Sequence, residues 1–355
     1  MKRLKIIYVT LFIGILFLFG VWVLAAKNRS FSDMENRTLK TRQEISSDFS
    51  GGDFQADLEL CLADQFPLRD AAVRLQTDVR YWMGQRDIGG AYLCSGGRLV
   101  QKITDADVDL AHLKKDAGRY GRLQNTGVPV CLIPVPSAGA ELRSQLPDGA
   151  AMYDLDRVYA AISEQKGDAA LLDLRPAMRE CGADYYRTDH HWTTRGAYEA
   201  YALWRQAHGQ DVPAFEDLNP QTAAEDFRGS LYAKAPASCV KGEPIVLIEA
   251  PPHLTVDADG QTISLYDLDA LSQRDKYRVF LSGNHGLVTI ENPDASGGTL
   301  LLVKDSFANC LVPFLARDYR RILLVDERYA AVSLMELAQS EQVDEIAVVK
   351  EACSF

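Results

Sequence analysis

Two short segments of the chain hold residue types that can perform nucleophilic catalysis. One reads Thr188-Asp189-His190-His191-Trp192 and the other reads Lys304-Asp305-Ser306-Phe307. A serine hydroxyl is a poor nucleophile until a base takes its proton, and a carboxylate usually orients that base. Asp189 lies two residues before His191, a spacing that lets the carboxylate reach Nδ1 while Nε2 faces away. Together the two segments predict a serine-hydrolase-type site.

Each segment also has an interpretation without catalysis. Asp305 or Ser306 could simply cap the helix that follows them. Asp189, His190 and His191 could bind a divalent cation, because carboxylate and imidazole groups are common metal ligands. No other cluster of His, Asp or Glu in the sequence supplies the missing ligands, so we expect neither a metal nor another cofactor.

Alternating strands and helices position both segments. Short, wholly apolar strands separated by helices are typical of a parallel sheet that is covered on both faces. The expected strands are residues 128–134, 169–174, 300–303, 322–325 and 345–349, and the expected helices are residues 106–125, 155–166, 194–208, 308–316 and 331–338. Ser306 follows a strand directly, at the end of the sheet where α/β proteins place their sites. The helix start behind it directs backbone N–H groups there, which suits an oxyanion.

The N-terminus predicts export. Residues 1–5 are basic, and residues 6–26 are apolar without a charge, which is long enough to cross a hydrocarbon core about 30 Å thick. The basic residues favour a cytoplasmic N-terminus and an extracytoplasmic main domain at the cell membrane. A cleaved signal peptide is the alternative, and it too exports the domain.

Composition shifts suggest three regions. Residues 1–26 form the anchor or signal, residues 27–52 a polar stalk, and residues 53–355 the main domain with a β-rich insertion at about 213–296. The main domain begins with a helical pattern over residues 53–83, which Pro67 divides into two helices. Turns and a hairpin are expected over residues 84–100.

The charge and the cysteines exclude several classes of protein. The net charge of the 355 residues is −11, and no basic stripe appears, so we expect no nucleic-acid partner, and an acidic surface disfavours a strongly polyanionic substrate. The seven cysteines contain no C-x-x-C pair, which argues against a zinc or thioredoxin-type site. A single disulfide remains open.

The first segment resembles the name-giving motif of the DHHW family, whose domains are similar to SGNH hydrolases and to alginate O-acetylation proteins of the AlgJ and AlgX type. In those proteins a D-x-H-W motif precedes a late serine motif, and the order here agrees. One departure is Lys304, where a glycine often precedes Asp-Ser. Further matches along the exported chain are Glu35-Asn36-Arg37, Asp64 to Arg69, Leu132 to Pro134, Phe227 to Leu231, Asp275 to Tyr277 and Ser282 to His285.

The resemblance implies a three-layer, SGNH-hydrolase-like α/β fold and assigns roles to individual residues. Ser306 becomes the nucleophile, His191 the base and Asp189 its orienting acid. His190 occupies the variable position of D-x-H-W and ranks below His191. Asn284 is a candidate for the oxyanion hole, with a Gly-Asn turn as the alternative.

Aromatic residues of the first segment have two interpretations. Trp192 could pack against the histidine ring and hold it. Trp192, Tyr185 and Tyr186 could instead stack on sugar rings, or could simply belong to the core.

The resemblance also implies a reaction. An exported Ser-His-Asp site of this type implies O-acyl transfer, with acetyl as the expected group, to a cell-surface or exported polysaccharide. A membrane-bound O-acyltransferase would then supply the acyl group. A carbohydrate O-acetyl esterase and a non-catalytic glycan-binding or assembly factor are the alternatives.

Overall fold

The structure is a computed structural model that describes residues 2–49, 52–180 and 184–355. The chain divides into two compact units. The smaller unit comprises Met1–Gly84 with Pro236–Ser238, and the larger comprises Gln85–Ala235 with Cys239–Phe355. The domain boundaries expected from the sequence, at residues 26, 52 and about 213–296, stay predictions.

The smaller unit begins with a long apolar helix. Its elements are α1 (Lys2–Ala25), β1 (Phe31–Ser32), β2 (Arg37–Thr38), α2 (Gly52–Asp64) and α3 (Arg69–Trp82). Among the described residues, α1 alone is long and apolar enough to cross a membrane: its candidate span, Arg3–Val23, has a mean hydropathy of 2.6. The expected apolar helix is therefore present, and it fits an anchor or a signal sequence equally. Pro67 separates α2 from α3, as the sequence predicted.

Polar side chains tie the start of this unit to the end of α2. The buried Asp64 carboxylate accepts hydrogen bonds from Arg37 Nη1 at 3.1 Å and from the Lys40 backbone N–H at 2.9 Å. The Gln65 amide accepts from the Arg29 N–H at 2.9 Å and donates to the Lys40 carbonyl at 2.9 Å, and both distances are typical of good hydrogen bonds. These contacts fix residues 29–40 against α2.

The larger unit is built on an eight-stranded main sheet and also contains a three-stranded and a two-stranded sheet. Its strands are β3 (Asp87–Ile88), β4 (Ala91–Leu93), β5 (Leu99–Gln101), β6 (Val130–Val135), β7 (Ala170–Leu171), β8 (Gln221–Phe227), β9 (Glu243–Leu247), β10 (Thr255–Ala258), β11 (Gln261–Ile263), β12 (Leu287–Glu291), β13 (Gly297–Lys304), β14 (Tyr319–Val325) and β15 (Glu345–Glu351). The order in the sheet is β11-β10-β12-β14-β13-β15-β6-β7. The run from β14 to β7 is parallel, and β12, β10 and β11 extend one edge antiparallel.

Helices cover both faces of this sheet. They are α4 (Leu110–Gly121), α5 (Ala138–Glu141), α6 (Leu155–Gln165), α7 (Arg175–Glu180), α8 (Thr194–Ala207), α9 (Ser230–Lys234), α10 (Ala308–Leu315) and α11 (Leu334–Ser340). In β13, Leu300 and Leu302 point into a core formed with α8 and α10, whereas Leu301 and Val303 point into a second core with α4, α6 and α11. This alternation, which a strand with two buried faces requires, confirms the three-layer α/β fold.

Several element ends differ from the sequence prediction because polar caps set them. The helix expected from residue 106 begins at Leu110, where the Asp109 carboxylate accepts from the Ala111 and His112 N–H groups. The helix expected from residue 331 begins at Leu334, where the Ser333 hydroxyl accepts from the Glu336 N–H. Such caps satisfy N–H groups that have no partner inside the helix.

The two irregular regions also have defined structures. Residues 84–100, expected as turns and a hairpin, contain the antiparallel sheet β3-β4-β5, which extends to Gln101. Within residues 213–296, β8 pairs with β9, whereas β10 to β12 join the main sheet. The strand expected over residues 169–174 shrinks to β7, Ala170–Leu171.

The described cysteines are all free thiols: Cys61, Cys94, Cys131, Cys239, Cys310 and Cys353. Cys181, the seventh, lies outside the described residues.

Candidate active site

The turn after β13 presents Ser306. The strand ends at Lys304 and α10 begins at Ala308, so the serine lies at the C-terminal end of the parallel sheet. Asp305 braces this turn: its Oδ1 accepts from the Phe307 N–H at 2.9 Å, and its Oδ2 accepts from the Glu351 N–H at 2.7 Å. Asp305 thus closes the turn before α10, which has no side-chain cap, and the Ser306 hydroxyl is available for another partner.

The histidine segment is a tight loop that leads into α8. Tyr185 and Trp192 form an antiparallel bridge that closes the loop, and the Tyr186 N–H donates to the His191 carbonyl at 3.2 Å. The Thr193 hydroxyl caps α8 by accepting from the Gly196 N–H at 3.2 Å. The loop therefore holds its side chains in place from both ends.

The structure brings the three predicted triad residues together in one hydrogen-bonded chain. Ser306 Oγ lies 2.8 Å from His191 Nε2, and His191 Nδ1 lies 2.6 Å from Asp189 Oδ1. The His191 backbone N–H donates to the same Asp189 oxygen at 3.0 Å. Asp189 and His191 are buried, and Ser306 is partly exposed. These distances are those of a nucleophile, its base and an orienting carboxylate.

The carboxylate of Asp189 has further partners that keep it ionised. Burial alone would raise the pKa of this carboxyl, but the neighbouring His190 and His191 and hydrogen bonds from His191 and the Ser230 N–H hold the pKa well below its usual range. Ser230 N–H donates to Oδ2 at 2.7 Å. A Cβ at Gly229 would lie 2.3 Å from Asp189 Cβ and Oδ2, so only glycine lets this loop approach so closely.

The His191 ring lies between two other rings. Tyr277 stacks on it with centroids 3.9 Å apart and an interplanar angle of 7°, and its hydroxyl donates to the Ser306 carbonyl at 3.3 Å. Burial raises the pKa of Tyr277 well above its ordinary value, so the phenol stays neutral. On the other side the His190 ring lies 3.9 Å from the His191 ring. The sequence assigned this hold on the imidazole to Trp192, but Tyr277 provides the stacking.

Trp192 instead connects the histidine segment with the serine segment. Its side chain is fully buried, and its Nε1–H donates to the Phe307 carbonyl, next to Ser306, at 2.8 Å. Tyr185 and Tyr186 are also buried, with exposed fractions of 2% and 1%. Of the two interpretations left open for these three rings, the core is confirmed and stacking on sugars is not, because none of them reaches the surface.

His190 is placed beside the triad but outside its hydrogen-bonded chain. Its Nδ1 lies 2.9 Å from Ser230 Oγ. Burial, followed by the charge of His191, lowers the pKa of His190 to about 4, so the ring is neutral near pH 7. Asp189, His190 and His191 could gather their ligand atoms around a metal ion. Both ring nitrogens of His191 already face Asp189 and Ser306, which fits proton transfer better than metal coordination.

Hydrogen bonds connect Lys304, which departs from the family pattern, with Asn284 through Asn309. The Lys304 side chain is 1% exposed, and Nζ donates to Asn309 Oδ1 at 2.7 Å and lies 3.6 Å from Asp326 Oδ2. Burial lowers the pKa of Lys304 to about 8, although Asp326 opposes this shift. Asn309 Nδ2 in turn donates to Asn284 Oδ1 at 3.2 Å. This bond fixes the Asn284 oxygen as an acceptor and leaves its NH₂ group to donate elsewhere.

Several of these residues were missed in the sequence. Tyr277 and Gly229 lie in matched motifs, but neither motif indicated a role. Asn309 and Asp326 carried no signal, since only folding brings them to Lys304. Asn284 makes no described hydrogen bond to the triad, so its place in an oxyanion hole stays a prediction.

Comparison with known proteins gives the family of the chain. The model of the family described as DHHW protein matches residues 148–325, half of the chain, and that range includes Asp189, His191 and Ser306. The chain belongs to the DHHW family. No curated protein sequence matches it.

Solved structures of the same fold are similar to most of the chain. A DHHW family protein from Eubacterium siraeum has 21% identity and a TM-score of 0.64, and the match covers 75% of this chain and 92% of that one. PatB1 of Bacillus cereus has 19% identity and a TM-score of 0.61, covering 74% of this chain and 95% of PatB1. A structure of PatB1 with a sulfonyl adduct has 19% identity and a TM-score of 0.60, and the match covers 72% of this chain and 92% of that one. At these identities the likeness shows the shared fold.

The stacked ring predicts how Tyr277 variants behave. Tyr277→Leu removes the stacking on His191, and we expect kcat/KM for p-nitrophenyl acetate to fall about 10²-fold because the base is no longer held. Tyr277→Phe keeps the ring and should restore most of the rate. Circular dichroism checks that both variants fold. Equal losses in the two variants would contradict the positioning role.

The fixed amide of Asn284 predicts an effect on kcat. If its NH₂ group stabilises the oxyanion, Asn284→Ala should lower kcat for the same ester about 10²-fold, with little change in KM. His285, the next residue, bonds to Asp259 and to the Leu281 carbonyl, and His285→Ala serves as the control in the same loop. A kcat within about twofold of the unaltered protein would remove Asn284 from the oxyanion hole.

Proposed function

We propose that the chain is an extracytoplasmic O-acyltransferase, with acetyl as the expected group, that modifies a cell-surface or exported polysaccharide. The observation that carries the proposal is the unbroken hydrogen-bonded chain from Asp189 through His191 to Ser306. Asp189 and His191 are buried and hydrogen-bonded, which supports a geometry that exists before a substrate binds. Such preorganisation is what nucleophilic catalysis by serine requires.

The first half of the reaction transfers the acyl group to the protein. His191 Nε2 takes the Ser306 proton as Oγ attacks the carbonyl carbon of an acyl ester. The tetrahedral intermediate collapses, the bond to the donor oxygen breaks, and that oxygen leaves with the proton from His191. The product is an ester on Ser306, and Asp189 stabilises the charged imidazole in between.

The second half depends on the acceptor. His191 takes a proton from a sugar hydroxyl, whose oxygen attacks the ester on Ser306. The Ser306 oxygen leaves and recovers its proton from His191, so the site returns to its initial state. A water molecule in place of the sugar gives hydrolysis by the same steps, and exclusion of water from the site decides between the two.

The acyl group and the acceptor are inferred from the family. Proteins similar to the DHHW family include alginate O-acetylation proteins, and the net charge of −11 favours a neutral glycan here. An N-terminal helix retained as an anchor would keep the site beside a membrane-bound O-acyltransferase, which we propose as the acyl donor.

A carbohydrate O-acetyl esterase is the second candidate. Ser306 is partly exposed, and exposure lets water reach an acyl group on its hydroxyl. The triad is common to both activities, so the same residues serve either one.

A fluorophosphonate probe tests the enzyme proposal. We expect it to label the full chain at Ser306, because the probe reacts with a serine that a base activates. Ser306→Ala should abolish labelling and His191→Ala should reduce it strongly, whereas Ser354→Ala, an exposed serine, should not change it. A folded chain that is not labelled would favour a glycan-binding role instead.

The products then separate transfer from hydrolysis. The chain is given p-nitrophenyl acetate with and without a neutral oligosaccharide, and acetylated sugar is measured beside free acetate. Transfer predicts that the sugar gains acetate at the expense of free acetate. Release of free acetate alone, at an unchanged rate, would favour the esterase.

A further inference from the structure

Helix α3 carries an apolar stripe that faces solvent. The stripe consists of Leu68, which directly precedes the helix, and of Ala72, Leu75, Val79 and Trp82, which recur at steps of three and four and so share one face of α3. The exposed fractions are 66% for Leu68, 61% for Leu75 and 81% for Trp82. Contiguous exposed apolar residues of this kind mark an interaction surface rather than an ordinary helix surface.

Polar contacts on the other side of α3 fix this orientation. Arg69 Nε forms an ion pair with Glu35 at 2.8 Å, and Thr77 is buried and donates to the Val73 carbonyl at 3.0 Å. The side of α3 with Arg69 and Thr77 thus faces its own unit, and the apolar stripe faces outwards.

The neighbouring helix indicates what covers the stripe. Phe66, two residues before Leu68, stacks on Phe19 of α1 with centroids 5.7 Å apart and an interplanar angle of 2°. Phe19 lies inside the candidate span Arg3–Val23, only 6% of whose most apolar window is buried within the protein. Where α1 is retained, lipid is the environment that can cover it, and the stacked Phe66 is then at the level of the lipid beside Phe19.

The α3 stripe continues along the helix from the position of Phe66. Fourteen helical residues at 1.5 Å each give α3 a length of about 20 Å. Trp82 lies at its far end, and tryptophan favours the boundary between lipid and water. Arg80, exposed on the flank of the stripe, can direct its charge to the headgroups.

We infer that the α3 stripe lies in the interface of a lipid bilayer, beside a retained α1. The smaller unit then has two attachments to the membrane, one that spans it and one that lies along its surface. This inference shares the retained α1 with the proposed function, but its test reads the contact of Trp82 with lipid and involves no residue of the triad.

Quenching of tryptophan fluorescence by brominated lipid tests this inference. The chain has four tryptophans, and Trp192 and Trp204 are buried in the larger unit. The full-length variant Trp22→Phe therefore keeps Trp82 as its one exposed tryptophan. In phosphatidylcholine vesicles, lipids brominated near the top of the acyl chain should quench this variant more than lipids brominated near the end. The additional substitution Trp82→Phe should abolish the quenching.

Matched charge substitutions locate the contact on the stripe. In the Trp22→Phe chain, Leu75→Glu places a charge on the stripe and should lower the quenching of Trp82. Gln76→Glu adds the same charge about 100° round the helix and should lower it less.

The opposite result would overturn the inference. Chains that carry only Trp82→Phe keep Trp22 in α1. Quenching of Trp22 in these chains proves that the protein is inserted in the bilayer. If they are quenched while Trp22→Phe chains are not, the stripe does not contact lipid. A concentration-dependent shift of Trp82 emission in unbrominated detergent micelles would then assign the stripe to a second copy of the chain.

Discussion

The site depends on a buried charge. Asp189 is 3% exposed, and a buried carboxylate is unfavourable unless hydrogen bonds and opposite charges compensate it. The compensation comes from the His191 ring, the His191 N–H and the Ser230 N–H, which together fix the carboxylate. Gly229 is needed because any side chain there would occupy the space of Asp189. The need to satisfy one charge therefore sets the position of the base.

The fold brings Ser306 next to His191 although the two residues are far apart in the sequence. The base and the nucleophile are 115 residues apart, and the parallel sheet brings the end of β13 beside the loop before α8. The bond from Trp192 to the Phe307 carbonyl joins the two segments through the core. Tyr277 then prevents rotation of the imidazole by stacking on it. A serine on a buried strand end thus meets a base that cannot easily move.

The sequence predicted the layers and the triad contacts but not the parts that support them. Apolar strands reveal a parallel sheet because they are buried on both faces, and Asp189, His191 and Ser306 lie in recognisable motifs. Tyr277 could not be assigned, because its stacking partner is distant in sequence. For Trp192 the sequence left the core and a sugar-stacking role open, since a local motif does not show burial. Lys304 could be recognised in the sequence as a departure from the family pattern. Its partners, Asn309 and Asp326, could not, because only the fold brings them to it.

The coupling between His191 and Ser306 tests the account most directly. It is obtained from kcat/KM for p-nitrophenyl acetate in His191→Ala, Ser306→Ala and the double variant. A base and a nucleophile that act as one unit predict that each single change costs at least about 10³-fold and that the double variant is about as slow as either. Losses that multiply in the double variant, or a single variant that keeps its rate, would contradict the triad.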